Sequence, residues 1–211
     1  MVAEADGQVD MNLSISKTKR ERFGGKYCLF IFLLAAALAF IPVTAGAQAA
    51  ASKEYQIKSA FLFNFAQFVE WPANTFTNAE APFCIGILGE DSFGRALDET
   101  IQGETIQNHK LLIQRSQRLE DLQACQLVFI SKSEKGRVAE VLSKLGDRRI
   151  LTVSELPGFA SRGGMINFYL EGKKVRFEIN PAAAQREGLK ISSQLLSLGK
   201  IIEPEPPKGG R

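Results

Sequence analysis

Four short apolar runs, separated by stretches of helical character, decide what this chain can become. They are FCIGIL (83–88), KLLIQRS (110–116), QLVFIS (126–131) and RILTV (149–153). Each is too short for a helix, and most are apolar on both faces, as strands covered on both sides by helices must be. After the first run comes GEDSFGRALDETIQG, which reads as a turn and a helix capped at Asp91 or Ser92. Arg118 to Ala124 reads as a short helix, and residues 134–145 as a longer one ended at Gly146. Strands alternating with helices predict an α/β fold: one doubly wound, mostly parallel sheet with helices on both faces. The expected strand order is 2-1-3-4. GGMINFYLEGKKVRFEIN (163–180) reads as a hairpin at the far edge, with strands 165–170 and 175–179 and a turn at Glu171-Gly172. Asn180-Pro181 ends it, and residues 188–202 close the fold with a helix opening at Ser192 or Ser193.

Ahead of the first strand lies AFLFNFAQFVEWP (60–72), in which five of thirteen residues are aromatic. From Tyr55 onward, at 100° per residue, Ile57, Phe61, Leu62, Phe65, Phe68 and Val69 share one stripe, so most of the rings are expected in the core. Trp71-Pro72 stops the helix, because proline excludes helical geometry from its predecessor. Phe63 and Trp71 fall off the stripe. They are the expected anchors for a partner or a second protomer, with Phe159 in the loop LPGF as a third.

The start of the chain is built differently. KTKRERFGGK (17–26) is basic, YCLFIFLLAAALAFIPV (27–43) is almost wholly apolar, and TAGAQAAA follows. That order is the layout of a signal peptide over residues 1–47, cut after Ala47 or Ala49. An uncleaved membrane anchor is the alternative. The domain then occupies residues 52–202, and 203–211, EPEPPKGGR, is a flexible tail. Without residues 1–47 the chain keeps 21 basic and 19 acidic side chains, a balance that gives no reason to expect nucleic acid as a partner. Cys84 and Cys125 are the cysteines that remain. In an exported protein they are expected to bridge. They open strands 1 and 3, which are neighbours in the order 2-1-3-4.

No assembled catalytic constellation is visible. His109 is the one histidine and stands before the second strand, at the edge away from the usual ligand end. The cysteines form no CxxC pair, and no GxGxxG, P-loop or HExxH is present. Neither a cofactor nor a metal is expected. Ligands of doubly wound sheets settle at the carboxyl ends of the strands. A crevice there would involve Gly89, Ser92, Ser131, Lys132 and Ser133. The alternative reading to a partner-binding protein is therefore a small-ligand module built on this crevice.

Several blocks in order resemble the YfiR family of periplasmic regulators: KSAFLFNFAQFVEWP, CIGILGEDSFG, CQLVFIS, ILTVSELPGFASRGGMINFYLEGKKVRFEIN and GLKISSQLLSLGKII. The resemblance implies a non-enzymatic, dimeric periplasmic protein. It implies a membrane diguanylate cyclase of the YfiN type as the partner to be repressed, and an outer-membrane lipoprotein of the YfiB type as the antagonist. The family's stabilising cysteine pair matches Cys84 and Cys125, whereas its second pair has no counterpart here.

Overall fold

The computed structural model describes residues 45–203 apart from 73 and 77. The basic and apolar parts of the expected signal segment, and the tail beyond Glu203, lie outside the described residues. Among the described residues no helix is long and apolar enough to cross a membrane.

Helix α1 (Ala45–Gln67) leads into β1 (Val69–Glu70). Then follow β2 (Phe83–Leu88), α2 (Arg95–Ile101), β3 (Thr105–Ile106), β4 (His109–Ser116), a 3-10 turn (Leu119–Leu122) and β5 (Leu127–Ile130). A second 3-10 segment (Lys132–Arg137) runs into α3 (Val138–Leu145), and β6 (Leu151–Ser154) follows. The hairpin is β7 (Ile166–Glu171) with β8 (Lys174–Ile179). The chain finishes with α4 (Pro181–Arg186), β9 (Lys190–Ile191), α5 (Ser193–Leu198) and β10 (Lys200–Ile201).

The main sheet has the order β10-β8-β7-β6-β5-β2-β4-β3. Its centre is the expected arrangement: β2 lies between β4 and β5, and β5 pairs with β6, all parallel. β6 continues parallel into β7, which turns back on β8 in register Ile166↔Ile179 to Glu171↔Lys174. One detail differs. The hairpin is not the edge, because β10 pairs with β8 in parallel and caps it, while β3 extends the opposite side. β1 and β9 form a separate antiparallel pair, Val69↔Ile191.

The two-sided burial follows from the period-2 alternation of strands. Phe83, Ile85 and Ile87 of β2, with Leu127 and Phe129 of β5, face the cluster that contains α1, α2 and the last helices. Leu88, Val128 and Ile130 face the other cluster, with Leu122, Val138, Val141 and Phe159. Helices thus cover both faces.

Caps explain the local starts and stops. Asp91 Oδ1 accepts from the amides of Phe93 (2.8 Å) and Gly94 (3.2 Å) and fixes the turn before α2, but the N-cap position is Gly94, which has no side chain to cap with, so the cap expected at Asp91 or Ser92 is corrected. Ser192 caps α5 through the Leu195 amide at 3.2 Å. Asn180-Pro181 does end the hairpin strand, but it also begins a helix. Asn180 Oδ1 accepts from the Ala183 amide at 2.9 Å, and proline occupies the first helical position, where its missing N–H costs nothing. The Cys84–Cys125 disulfide is formed, with Cα atoms 4.5 Å apart.

The buried face of the aromatic helix differs from the expected one at Ile57 and Lys58. Leu62, Phe65, Ala66 and Val69 are buried, as are Lys58 and Ser59. Phe61 and Phe68 are only half-buried, and Ile57 is 39% exposed. The expected stripe holds at Leu62, Phe65 and Val69, with Phe61 and Phe68 packed along its edge; it is corrected at Ile57, which is exposed, and at Lys58, which takes its place on the buried face.

Candidate functional site

The carboxyl ends of β2, β5 and β6 bring three loops together: Gly89 onward, Ser131 onward and Glu155 onward. The crevice expected between Gly89, Ser92, Ser131, Lys132 and Ser133 is filled at its centre. Gly89 has φ +89°, and a Cβ there would stand 2.3 Å from Ser133 Oγ and 2.7 Å from Glu134 Oε1. Ser133 Oγ in turn accepts the Glu90 amide at 3.0 Å. Gly89 thus serves a left-handed turn and a close approach. The buried Glu134 carboxylate, paired with Arg137, sits where an anion would have to go.

Beside this filled space lies a buried charge cluster that the sequence reading missed. Lys58 is 2% exposed, and its ammonium bonds both Glu54 and Glu155. Tyr55 donates its hydroxyl to Glu155 Oε1 at 2.7 Å, and Lys132 Nζ lies 3.3 Å from Glu155 Oε2. Edge-on contact of Tyr55 with Phe93, and of Phe93 with Phe129, ties the cluster to the core.

Burial alone would raise the Glu155 pKa. The hydrogen bonds from Lys58 and Tyr55 and the charges of Lys58 and Lys132 outweigh it and hold the carboxyl below its ordinary value. Burial pushes the Tyr55 hydroxyl well above the ordinary phenol range, and Glu155 acts in the same direction, against a hydrogen bond with Ser92. Glu155 therefore stays ionised and Tyr55 protonated across neutral pH, which suits a fixed clamp better than proton transfer. A signal was present in the sequence: Lys58 sits four residues before Leu62 on the apolar stripe, where a lysine needs a buried partner.

A cavity of about 470 Å³ opens next to the clamp, lined among others by Lys132, Asn167, Glu178 and Lys200. Asn167 is buried there, and among the described residues neither its Oδ1 nor Ser131 Oγ finds a hydrogen-bond partner.

The expected partner anchors divide. Phe63 is half-buried, packed against the main core. Trp71 is corrected to a core residue: its Nε1 donates to the Ala66 carbonyl at 3.0 Å, and its ring meets Phe83 edge-on at 5.1 Å. Phe159 is also core, fully buried in the second cluster, and a Cβ on Gly164 would stand 2.1 Å from its ring. Both look exposed in sequence and are buried here.

Exposed apolar side chains stand elsewhere. Ile57 and Phe61 are four apart on the outer flank of α1, and Phe61 lies 5.3 Å from Phe177. Phe177 packs against Gly199, where a Cβ would stand 2.6 Å from its ring. Gly199 is flanked by Leu198, 65% exposed, and two residues on is Ile201, 48% exposed. The contacts of Phe61 with Phe177 and of Phe177 with Gly199 connect α1 to the segment entering β10, and Ile57, Leu198 and Ile201 are the exposed apolar side chains along this flank.

At the amino end of the sheet, His109 Nδ1 donates to the Ala81 carbonyl at 2.6 Å, and the ring stacks on Phe76 with centroids 3.6 Å apart. These contacts give the ring a packing role. Among the described residues no group of three or more His, Cys, Asp or Glu could hold a metal ion.

Comparison with known proteins adds one result that carries weight. Residues 55–200 match the family model described as YfiR/HmsC-like. No curated protein matches the chain. Two solved structures resemble it at 10% identity and a TM-score of 0.43. One is a conserved domain protein from Vibrio cholerae O1 biovar El Tor, with 56% of this chain and 54% of that one covered. The other is an ABC domain in complex with L-Trp from Streptococcus pneumonia, with 57% and 55% covered. The chain thus spans about half the length of each, and nothing is carried over from either.

Proposed function

We propose that this chain, which belongs to the YfiR/HmsC-like family, is a non-enzymatic periplasmic regulator that binds the sensor region of an inner-membrane signalling protein. The family is regulatory rather than catalytic, and its match over nearly the whole folded unit is the observation that carries the reading. The partner is a diguanylate cyclase of the YfiN type, repressed on binding so that cyclic di-GMP falls. An outer-membrane lipoprotein of the YfiB type competes for the regulator, and the regulator itself is a homodimer. Export follows from the basic, apolar and Ala-x-Ala order of residues 17–49. The Cys84–Cys125 bridge suits an oxidising compartment.

The proposed contact surface is the flank marked by the exposed apolar side chains Ile57, Leu198 and Ile201 and linked through half-buried Phe61 and Phe177, because exposed apolar side chains gathered on one flank favour association. Phe63, half-buried and packed against the main core, stands about 200° around the helix from Phe61 and is not part of this flank. The test is association of the purified disulfide-bonded chain with the periplasmic region of a membrane diguanylate cyclase of the YfiN type. Ile57→Ser with Leu198→Ser lowers that affinity about tenfold or more, as loss of an apolar anchor does. Unchanged affinity in the double variant moves the contact off this flank, and no association at all removes the cyclase as partner.

The cavity beside Lys132 and Asn167 favours a second reading, a module for a small polar ligand. Stabilisation of the chain by small molecules that enter it, lost in Asn167→Ala, would support that reading.

A further inference from the structure

The amino-terminal edge of the sheet carries a cavity that neither reading uses. It measures about 540 Å³ and lies against the Cys84–Cys125 disulfide. Its wall is apolar at Phe76, Pro82 and Leu112. Leu112 is 47% exposed although it stands inside β4, whose neighbouring residues Leu111 and Ile113 pack toward the core. Strand alternation sends Leu112 to the opposite face, where it stays open to solvent.

The far side of the mouth is the turn Asp147–Arg149, between α3 and β6. It supplies two guanidiniums, Arg148 and Arg149, against one carboxylate, Asp147. Among the described residues neither arginine has a carboxylate within ion-pair distance. Arg148 Nε donates to the Lys144 carbonyl at 3.0 Å, and Arg149 Nη1 donates to Asn74 Oδ1 at 2.5 Å. Both acceptors are neutral, so neither guanidinium is taken up by a direct ion pair, although the Asp147 and Glu187 carboxylates belong to the same neighbourhood. The turn is also fixed in place: Arg149 has φ 58°, uncommon for a long side chain, and its amide donates to Glu187 Oε2 at 3.3 Å. A guanidinium recognises carboxylate or phosphate oxygens through paired N–H bonds, and an apolar wall takes hydrocarbon.

We propose that this cavity binds a small anionic amphiphile, with a carboxylate or phosphate head on Arg148 and Arg149 and a short hydrocarbon chain on Leu112 beside the disulfide. The same head chemistry is carried by a free fatty acid and by a phospholipid.

Octanoate titrated calorimetrically into the disulfide-bonded chain tests the proposal, with octanol and inorganic phosphate as half-ligands. Octanoate binds about tenfold or more tightly than either half alone, since each half uses one part of the site. Arg148→Gln with Arg149→Gln weakens octanoate about tenfold, the loss of a charge-assisted contact. Leu112→Ser alters a side chain exposed enough to leave the fold intact, and it weakens octanoate severalfold without changing inorganic phosphate. Octanoate that fails to bind the wild-type chain, or that binds these variants as tightly as the wild type, overturns the proposal. Vesicles of phosphatidylglycerol then separate the two sources. Co-sedimentation that the arginine variant abolishes assigns the head to a lipid. Octanoate binding without co-sedimentation assigns it to a free amphiphile.

Discussion

The two ends of the central sheet are closed by different chemistry. At the amino end a covalent bond, Cys84–Cys125, ties β2 to the loop ahead of β5. At the carboxyl end an ionic clamp, Lys58 with Glu155, Tyr55 and Lys132, ties α1 to the loops after β5 and β6. The bridge works by limiting the unfolded chain, so its contribution is insensitive to pH and lost on reduction. The clamp works only while Lys58 and Glu155 are both charged and both present. One fold therefore carries two independent fastenings, one answering to redox state and the other to acid.

Breaking the bridge has the largest expected effect. Cys84→Ala with Cys125→Ala removes a closure of about 40 residues and costs about 4 kcal/mol in urea unfolding. A loss near zero would mean that packing around Leu122 and Val128 holds that end unaided. Glu155→Gln comes next, at about 3 kcal/mol, because it leaves a buried lysine short of a counter-charge. Glu54 still bonds Lys58, which keeps the loss from being larger. Lys58→Met with Glu155→Leu sharpens the point. It removes both charges and restores stability to within about 1 kcal/mol of wild type if the clamp is there for position rather than for energy.

Acid separates the two ends without mutation. Glu155 is held below its ordinary value in the folded chain, so its contribution is present above the unfolded value of about 4.3 and disappears as pH falls through the lower folded value. Between pH 6 and pH 3 the wild-type chain should lose more stability than Glu155→Gln, while loss of the bridge should leave that difference unchanged. Equal acid sensitivity in wild type and Glu155→Gln would dissociate the clamp from acid stability. The smallest effect on folding is expected at the flank. Ile57→Ser should change stability by no more than about 0.5 kcal/mol, the range for surface substitutions, and should act on association instead.

The comparison also explains what the sequence made visible. The interior of the sheet was legible because FCIGIL and LVFI are apolar on both faces and admit little else; the cysteine pairing was legible because two thiols remain in a chain expected to be exported, and the order of those strands agrees with it. The short strands β1, β3, β9 and β10 were not legible. Two residues carry no periodicity, and their pairing is decided by tertiary contacts. The helix stripe was misplaced at Ile57 because a hydrophobic stripe is drawn through apolar residues. Lys58 belongs to the buried face on electrostatic grounds, so a scale that counts it as polar draws the stripe toward Ile57. The same error concealed the exposed flank. Trp71 and Phe159 were misjudged for the converse reason: a residue outside the regular elements can still be buried, as Trp71 is against the end of α1 and Phe83, and Phe159 by its own loop at Gly164.

Regulation of a membrane cyclase is the central claim, and cellular cyclic di-GMP tests it most directly. The level is measured in a strain lacking this gene, in the same strain carrying the wild-type gene, and in one carrying the Ile57→Ser, Leu198→Ser form. The account predicts a rise on deletion, a return to the starting level with the wild-type gene, and no return with the flank variant at equal protein abundance. A level that does not change on deletion would contradict repression of a cyclase.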